Sequence, residues 1–282
     1  MSLNLGSPSP IQPLSLGNVV SAGIRLYRFH LKSYLKLAFN AYVWIFVPIY
    51  GWAKCGAILA LISRLAFGEL VDQPESVEGG RRVVNSRMWQ FLIMGLLMFA
   101  INIGLLIPFS IVIGIITAFF VGSIAAGVTP NATIILVVSL LTLILIPVFL
   151  IVVLWVQARF FVVEVPLAIE DNIDGTSTIG RSWELTKGYA WRIVAILFVG
   201  YLITIPIQIP FTILSTIIQA VLASLAQENS GYAFLSQLLS LIIGLISAAL
   251  VVPFWQSIKA VVYYDLRSRR EGMGLKLRDR DI

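Results

Sequence analysis

Charge is scarce in this chain. Of its 282 residues 12% are Asp, Glu, Lys or Arg and 59% are hydrophobic, against about 25% charged in an ordinary soluble domain. That leaves too little polar surface to cover a water-soluble globule, and it excludes that class. Two stretches are emptier still: residues 88–158 contain no Asp, Glu, Lys, Arg or His, and residues 193–258 contain only Glu228. A helix crosses a bilayer with about 20 apolar residues, so each stretch has room for two passes. Cysteine and histidine occur once each. The lone Cys55 excludes an intrachain disulfide. The lone His30 sits in a basic stub with no acidic neighbour in sequence, so no His-and-carboxylate cluster for a metal-dependent hydrolase can be assembled around it. Walker A, Gly-rich nucleotide loop, Cys-x-x-Cys and His-Glu-x-x-His patterns are absent. No catalytic, cofactor or metal residue is assigned, and the expectation is a protein that is not an enzyme. The start, "MSLNLGSPSPIQPLSLGN", lacks a basic region followed by an apolar one, so no cleavable signal peptide is expected, and residues 1–13 read as a flexible lead-in.

What charge there is falls in a pattern. Lys and Arg cluster at Arg25, Arg28, Lys32 and Lys36, near Arg81, Arg82 and Arg87, at Arg159, Arg181, Lys187 and Arg192, and from Lys259 to Arg280. The turns at 125–133 and 226–232 have none. Short basic loops stay cytoplasmic, so these two turns face the other side. The expected fold is an all-α integral membrane protein with about six transmembrane or re-entrant segments in three hairpins, at about 33–68, 88–163 and 188–265, plus short amphipathic cytoplasmic helices. Residues 14–265 form the membrane domain, 266–282 a basic cytoplasmic tail. Within the hairpins, spans are expected at 88–125, 132–160, 190–226 and 233–264. The first apolar block, 37–63, is too short for two full crossings. Either the "VPIYGW" turn at 47–52 lies inside the membrane or the basic-flank rule fails once. Both termini are expected on the cytoplasmic side of a bacterial inner membrane or an equivalent internal membrane.

A weak repeat accompanies the hairpins. A basic residue, any residue and an aromatic precede each one: Lys32-Ser33-Tyr34, Arg87-Met88-Trp89 and Lys187-Gly188-Tyr189. Upstream lie the short polar stubs "GIRLYRFHL", "ESVEGGRRVV" and "TIGRSWEL", of the kind that can lie in a headgroup layer. In the first, Val19, Val20, Ile24, Tyr27 and Leu31 share a face opposite Arg25, Arg28 and Lys32, which suits an anionic leaflet. The net charge of +6 is a positive-inside signature, and nucleic acid is not an expected partner.

The polar stretch 169–192 reads as a connector: Asn172, Asp174, Gly175 and Ser177 make a turn and cap, and a helix runs from about Thr178 to Lys187. Its Glu170, Asp171 and Asp174 can pair with Arg181 and Lys187, or with the tail "DLRSRREGMGLKLR". Candidate interaction residues are Arg181, Trp183, Lys187, Asp265, Arg267, Arg269 and Arg270. The segments "FFVVEVPLAIEDNIDGTSTIGRSWELTKGYAWR", "YYDLRSRREGMGL" and "LSLGNVVSAGIRLYRFHLKSYL" together resemble the membrane-domain group of glycerophosphodiester phosphodiesterases and the six-helix bacterial membrane proteins similar to it. The resemblance implies a multi-span fold, found alone or fused to a catalytic domain. It carries over no catalytic residue.

Two roles are therefore weighed. The first is a non-enzymatic accessory, scaffold or assembly subunit that binds another membrane protein or lipid, with the bilayer and anionic headgroups as partners and a homo-oligomer allowed. The second is a transporter or channel for a small solute or lipid. Thr204, Gln208, Thr212, Ser215 or Thr216, and Gln219 recur every three or four residues on the fifth segment, facing Ser236, Ser240, Gly244 and Ser247 on the sixth, and Lys54 is the one candidate ionisable group at membrane depth. The same stripe also serves close helix packing.

Overall fold

A computed structural model describes residues 14–125, 131–227 and 229–271, and over them the chain is all-helical, with ten α-helices and no strand. They are α1 (Leu16–Phe29), α2 (Leu31–Trp44), α3 (Tyr50–Leu70), α4 (Val77–Ser86), α5 (Met88–Ala125), α6 (Ala132–Arg159), α7 (Glu164–Ile169), α8 (Ser177–Thr186), α9 (Ala190–Ala226) and α10 (Ser230–Glu271). The lead-in 1–13, most of the turn around Thr129 and Pro130, Glu228 and the tail from 272 lie outside the described residues.

Local chemistry sets the starts. Ser15, Ser76 and Asn131 are extended cap residues whose side-chain oxygens accept from the backbone N–H of Asn18 (3.2 Å), Gly79 (3.1 Å) and Ile134 (2.9 Å), opening α1, α4 and α6. Before α8, Asp174 accepts from the N–H groups of Thr176 (2.9 Å) and Ser177 (2.7 Å), while the Ser177 hydroxyl accepts from the Asp174 N–H (2.9 Å). α8 stops at Gly188, whose φ of 85° suits glycine. Between α2 and α3 the chain reverses through Pro48 and Ile49. There Ile49 has φ 60° and ψ −70°, and the Tyr50 N–H donates to the Pro48 carbonyl (2.7 Å), a γ-turn strained for a β-branched residue.

Four helices, α5, α6, α9 and α10, are long and apolar enough to cross a membrane. The first three match the expected spans to within a residue. α10 does not: it starts at Ser230 and runs on to Glu271. The first six residues of the expected tail are thus helix, because Leu266 and its buried neighbours still have a core to face. The prolines do not break the chain's helices; Pro108, Pro147, Pro206, Pro210 and Pro253 all lie within continuous ones.

Burial divides the molecule in two. One part, here the body, is centred on α3, which packs against α2, α4, α5, α7 and α10. Ala53, Ala57, Ala60 and Ala66 are fully buried and let these neighbours approach closely, and Leu61, Ile62, Ile258 and Tyr263 fill the space between. α1 lies on α10, where a Cβ on Gly23 would fall 2.7 Å from the Ile258 side chain and 3.3 Å from its Cα. The Tyr27 hydroxyl donates to the Leu250 carbonyl (3.0 Å). The α1 face carrying Val19, Val20 and Leu26 is therefore covered by protein, and Leu31 falls off it, exposed. The other part, here the arms, is the outer length of α5, α6, α9 and α10, with Phe119, Leu143, Phe198 and Phe234 exposed. α5 and α6 meet where Gln157 donates to Asn102 (2.6 Å) and Phe109 stacks on Phe149 (3.7 Å). α9 and α10 meet where Gly200 lets the Trp255 ring lie against the helix and where Gln219 donates to Ser240 (3.2 Å).

Candidate functional site

Charged groups gather where the arms enter the body, and most of them are tied to one another. Arg181 on α8 donates to both oxygens of Glu170 (3.0 and 3.1 Å) and to Glu271. Arg267 donates to Glu271 (2.8 Å), and the Tyr263 hydroxyl donates to Glu170 (2.6 Å). Burial on its own would lower the Arg181 pKa, but the hydrogen bonds it donates to Glu170 and Glu271 and the charges on both outweigh it and hold the guanidinium above its ordinary range. The connector therefore pairs with itself through Glu170 and with the end of α10 through Glu271.

A second cluster fastens the chain's beginning. Asp265, fully buried, accepts from Arg192 and Arg269 (3.0 Å) and from the Leu14 N–H (3.1 Å), while the Leu14 carbonyl accepts from the same two arginines. Arg270 reaches across to the carbonyls of Leu185 (3.1 Å) and Lys187 and so closes the end of α8. Arg87 does the same for α7, at the carbonyls of Leu167 (3.2 Å) and Glu170. Deeper in, Ser63 donates to Gln256, Gln256 donates to Glu164 (3.0 Å), and Glu164 pairs with Lys259. His30, with no acidic neighbour in sequence, has Glu69 of α3 3.4 Å away.

The expected interaction residues thus come together, but largely facing inward. Arg181, Asp265, Arg267, Arg269 and Arg270 hold α8, α10 and the start of α1 to one another. Trp183 is partly exposed and Lys187 exposed at the end of α8. The stripe is a different matter. Thr204 is buried and donates to the Tyr201 carbonyl (3.1 Å), Thr212 donates to the Gln208 carbonyl (3.2 Å), and Gln219 bridges Ser215 and Ser240. Thr204, Thr212 and Gln219 thus bond along α9 or across to α10, whereas the Gln208 side chain makes no hydrogen bond among the described residues. Lys54 lies over the Trp44 ring, 4.3 Å from its centroid, and 3.5 Å from the Tyr50 hydroxyl.

One residue escaped the sequence reading: Arg159, counted there only as a basic flank. It is 4% exposed at the end of α6, with its guanidinium 4.0 Å from the centroid of the Trp183 ring. Its own carbonyl accepts from Ser182 and Thr186 (3.0 Å each), but among the described residues its Nε has no hydrogen-bond partner and no carboxylate pairs with it. An open cavity of about 560 Å³ adjoins it, lined by Trp155, Trp183, Lys187 and Trp191 among others. The available signal was the three tryptophans, at 155, 183 and 191, near span ends.

Residues 38–265 match the model of a family described as a domain of unknown function (DUF7847). No curated protein and no solved structure matches the chain.

Proposed function

We propose that this chain, which belongs to the DUF7847 family, is a non-enzymatic membrane protein that acts as an accessory, scaffold or assembly subunit for another membrane protein. The observation that carries the reading is the contrast between arms and body. The arms leave long apolar faces uncovered, which only lipid or another apolar surface can cover. The body keeps most of its charges for internal bonds. Beyond Thr204, α9 has 22 residues left, a length of about 33 Å at 1.5 Å per residue, close to the hydrocarbon thickness of about 30 Å.

In this reading the four arms span a bacterial inner membrane or its equivalent, with the body and both termini on the cytoplasmic side, as the distribution of Lys and Arg suggests. The α2–α3 pair makes the third two-helix unit and enters only partway, tip first, through Val43, Phe46, Val47 and Ile49, which are exposed. Because Arg181 and Arg267 are occupied by Glu170 and Glu271, the cations offered outward among the described residues are Lys187 and a group made of Arg25, Arg28, Lys32, Lys36, Arg81 and Arg82, all exposed. They suit anionic headgroups and an acidic partner surface alike. The resemblance to the phosphodiesterase membrane domains fits a partner that brings the catalytic part.

The test is native purification in mild detergent with mass spectrometry of what remains bound. A stoichiometric protein that is lost in the Arg25→Glu, Arg28→Glu double variant and kept in Gln219→Leu supports the accessory role. A homo-oligomer carrying only a small solute, disturbed by Gln219→Leu instead, would replace it with transport.

A further inference from the structure

The Arg159 cavity combines three features. The first is a buried cation with no carboxylate paired to it among the described residues. Burying a charge unpaired is costly, and the face of Trp183, 4.0 Å from the guanidinium, offsets only part of that cost. The second is the surroundings. Lys187 adds a second positive group at the rim, and Glu184, also at the rim, leans toward Arg181 at 3.9 Å. The third is position. Trp155, Trp183 and Trp191 encircle the spot where charge-free helix meets charged body, as aromatic side chains do at a membrane–water boundary. Immediately beyond it Ile151 and Leu154 on α6 and Phe198 on α9 are exposed, a surface that an acyl chain can follow.

We propose that this cavity binds a phosphate-bearing anion, supplied by the headgroup of an anionic membrane lipid. Arg159 donates to the phosphate oxygens, Lys187 adds charge from the rim, and the tryptophans hold the glycerol region at the level where it lies in a leaflet. The alternative source of the same chemistry, free phosphate, lacks the chain that the apolar surface beyond the cavity would hold. The site rests on the reading that the arms lie in a bilayer.

The full chain in mild detergent is titrated with dioctanoyl-phosphatidylglycerol, dioctanoyl-phosphatidylcholine or inorganic phosphate, and bound species are counted by native mass spectrometry. The expected result is one phosphatidylglycerol per chain, held at least tenfold more tightly than phosphatidylcholine. Arg159→Gln should bring the two lipids to similar affinity, and Trp191→Ala should weaken phosphatidylglycerol severalfold. Trp191 is 62% exposed, so its variant folds and decides the matter even if Arg159→Gln does not. Equal binding of the two lipids by the unaltered chain, or undiminished phosphatidylglycerol affinity in Trp191→Ala, overturns the site. Displacement of the lipid by inorganic phosphate at similar concentration overturns the lipid source. Flotation with liposomes scores membrane insertion separately: a chain that floats but shows no preference loses this site alone, whereas one that does not float loses the membrane reading beneath it.

Discussion

The body and the arms solve opposite problems with the same helices. α10 shows both: its outer end around Phe234 is exposed and nearly free of polar contacts, while its inner end carries Asp265, Arg267, Arg269 and Arg270, each with a named partner. In the body, charges do the positioning, because a buried carboxylate such as Asp265 accepts only one arrangement of its donors. In the arms no charge fixes anything, and the helices depend on whatever covers them. A low average charge therefore says little about how charge is used. Here it is concentrated at the junction, where it locks four segments distant in sequence.

The largest test of that contrast removes one anchor. Asp265→Ala leaves Arg192 and Arg269 without their carboxylate, and should cost about 3–5 kcal/mol, seen as a much lower thermal midpoint in detergent and as new protease cutting at the start of α1. Next, one substitution can be made in both regions. Leu61→Ala, in the fully buried core, should lose about 3 kcal/mol. Leu143→Ala, at a position 68% exposed on an arm, should change the stability by less than about 0.5 kcal/mol, and equal losses would erase the distinction. A charge reverses the ranking: Leu143→Lys should disfavour insertion by about 2.5 kcal/mol, measured as the inserted fraction, with little effect on the body. The smallest effect concerns Asp174. The N–H of Ser177 first, then the hydroxyl of Thr176, hold its carboxyl well below the usual carboxylate range. A lowered folded-state value means that its contribution is complete above about pH 4, the unfolded carboxyl's range, and fades on further acidification. Asp174→Asn should flatten that part of the stability profile.

Much of this was legible in the sequence, for physical reasons. The long runs without charge could only be helices that avoid water, so α5, α6 and α9 emerged within a residue of their ends. The cap around Asp174 and Ser177 and the stop at Gly188 follow from local chemistry alone. α10 was misjudged at its inner end because an alternation of arginine with Leu266 and Ser268 looks like a solvated tail until a partner surface is known. The same blindness hid Arg159. An unpaired cation is defined by what is missing around it, and Trp183, which lies against it, is 24 positions away in sequence. The α1 face of Val19 and Val20 was visible, but periodicity cannot say whether protein or lipid covers it.

The γ-turn at Ile49 bears on the medium in which this chain took shape. A β-branched residue at positive φ is held at a penalty of about 1–3 kcal/mol, and a glycine would remove it. Inside the protein nothing recompenses the isoleucine, since its side chain is 59% exposed. In hydrocarbon the balance changes, because taking such a side chain out of water is worth about 1.5–3 kcal/mol. On the proposed entry of the tip into the bilayer, residue 49 acts as a solvent reporter written into the backbone: Ile49→Gly should raise the melting temperature in a small micelle that leaves the tip wet and weaken adherence of the tip to a bilayer. A loss on both counts would mean that the tip's surroundings did not choose the residue.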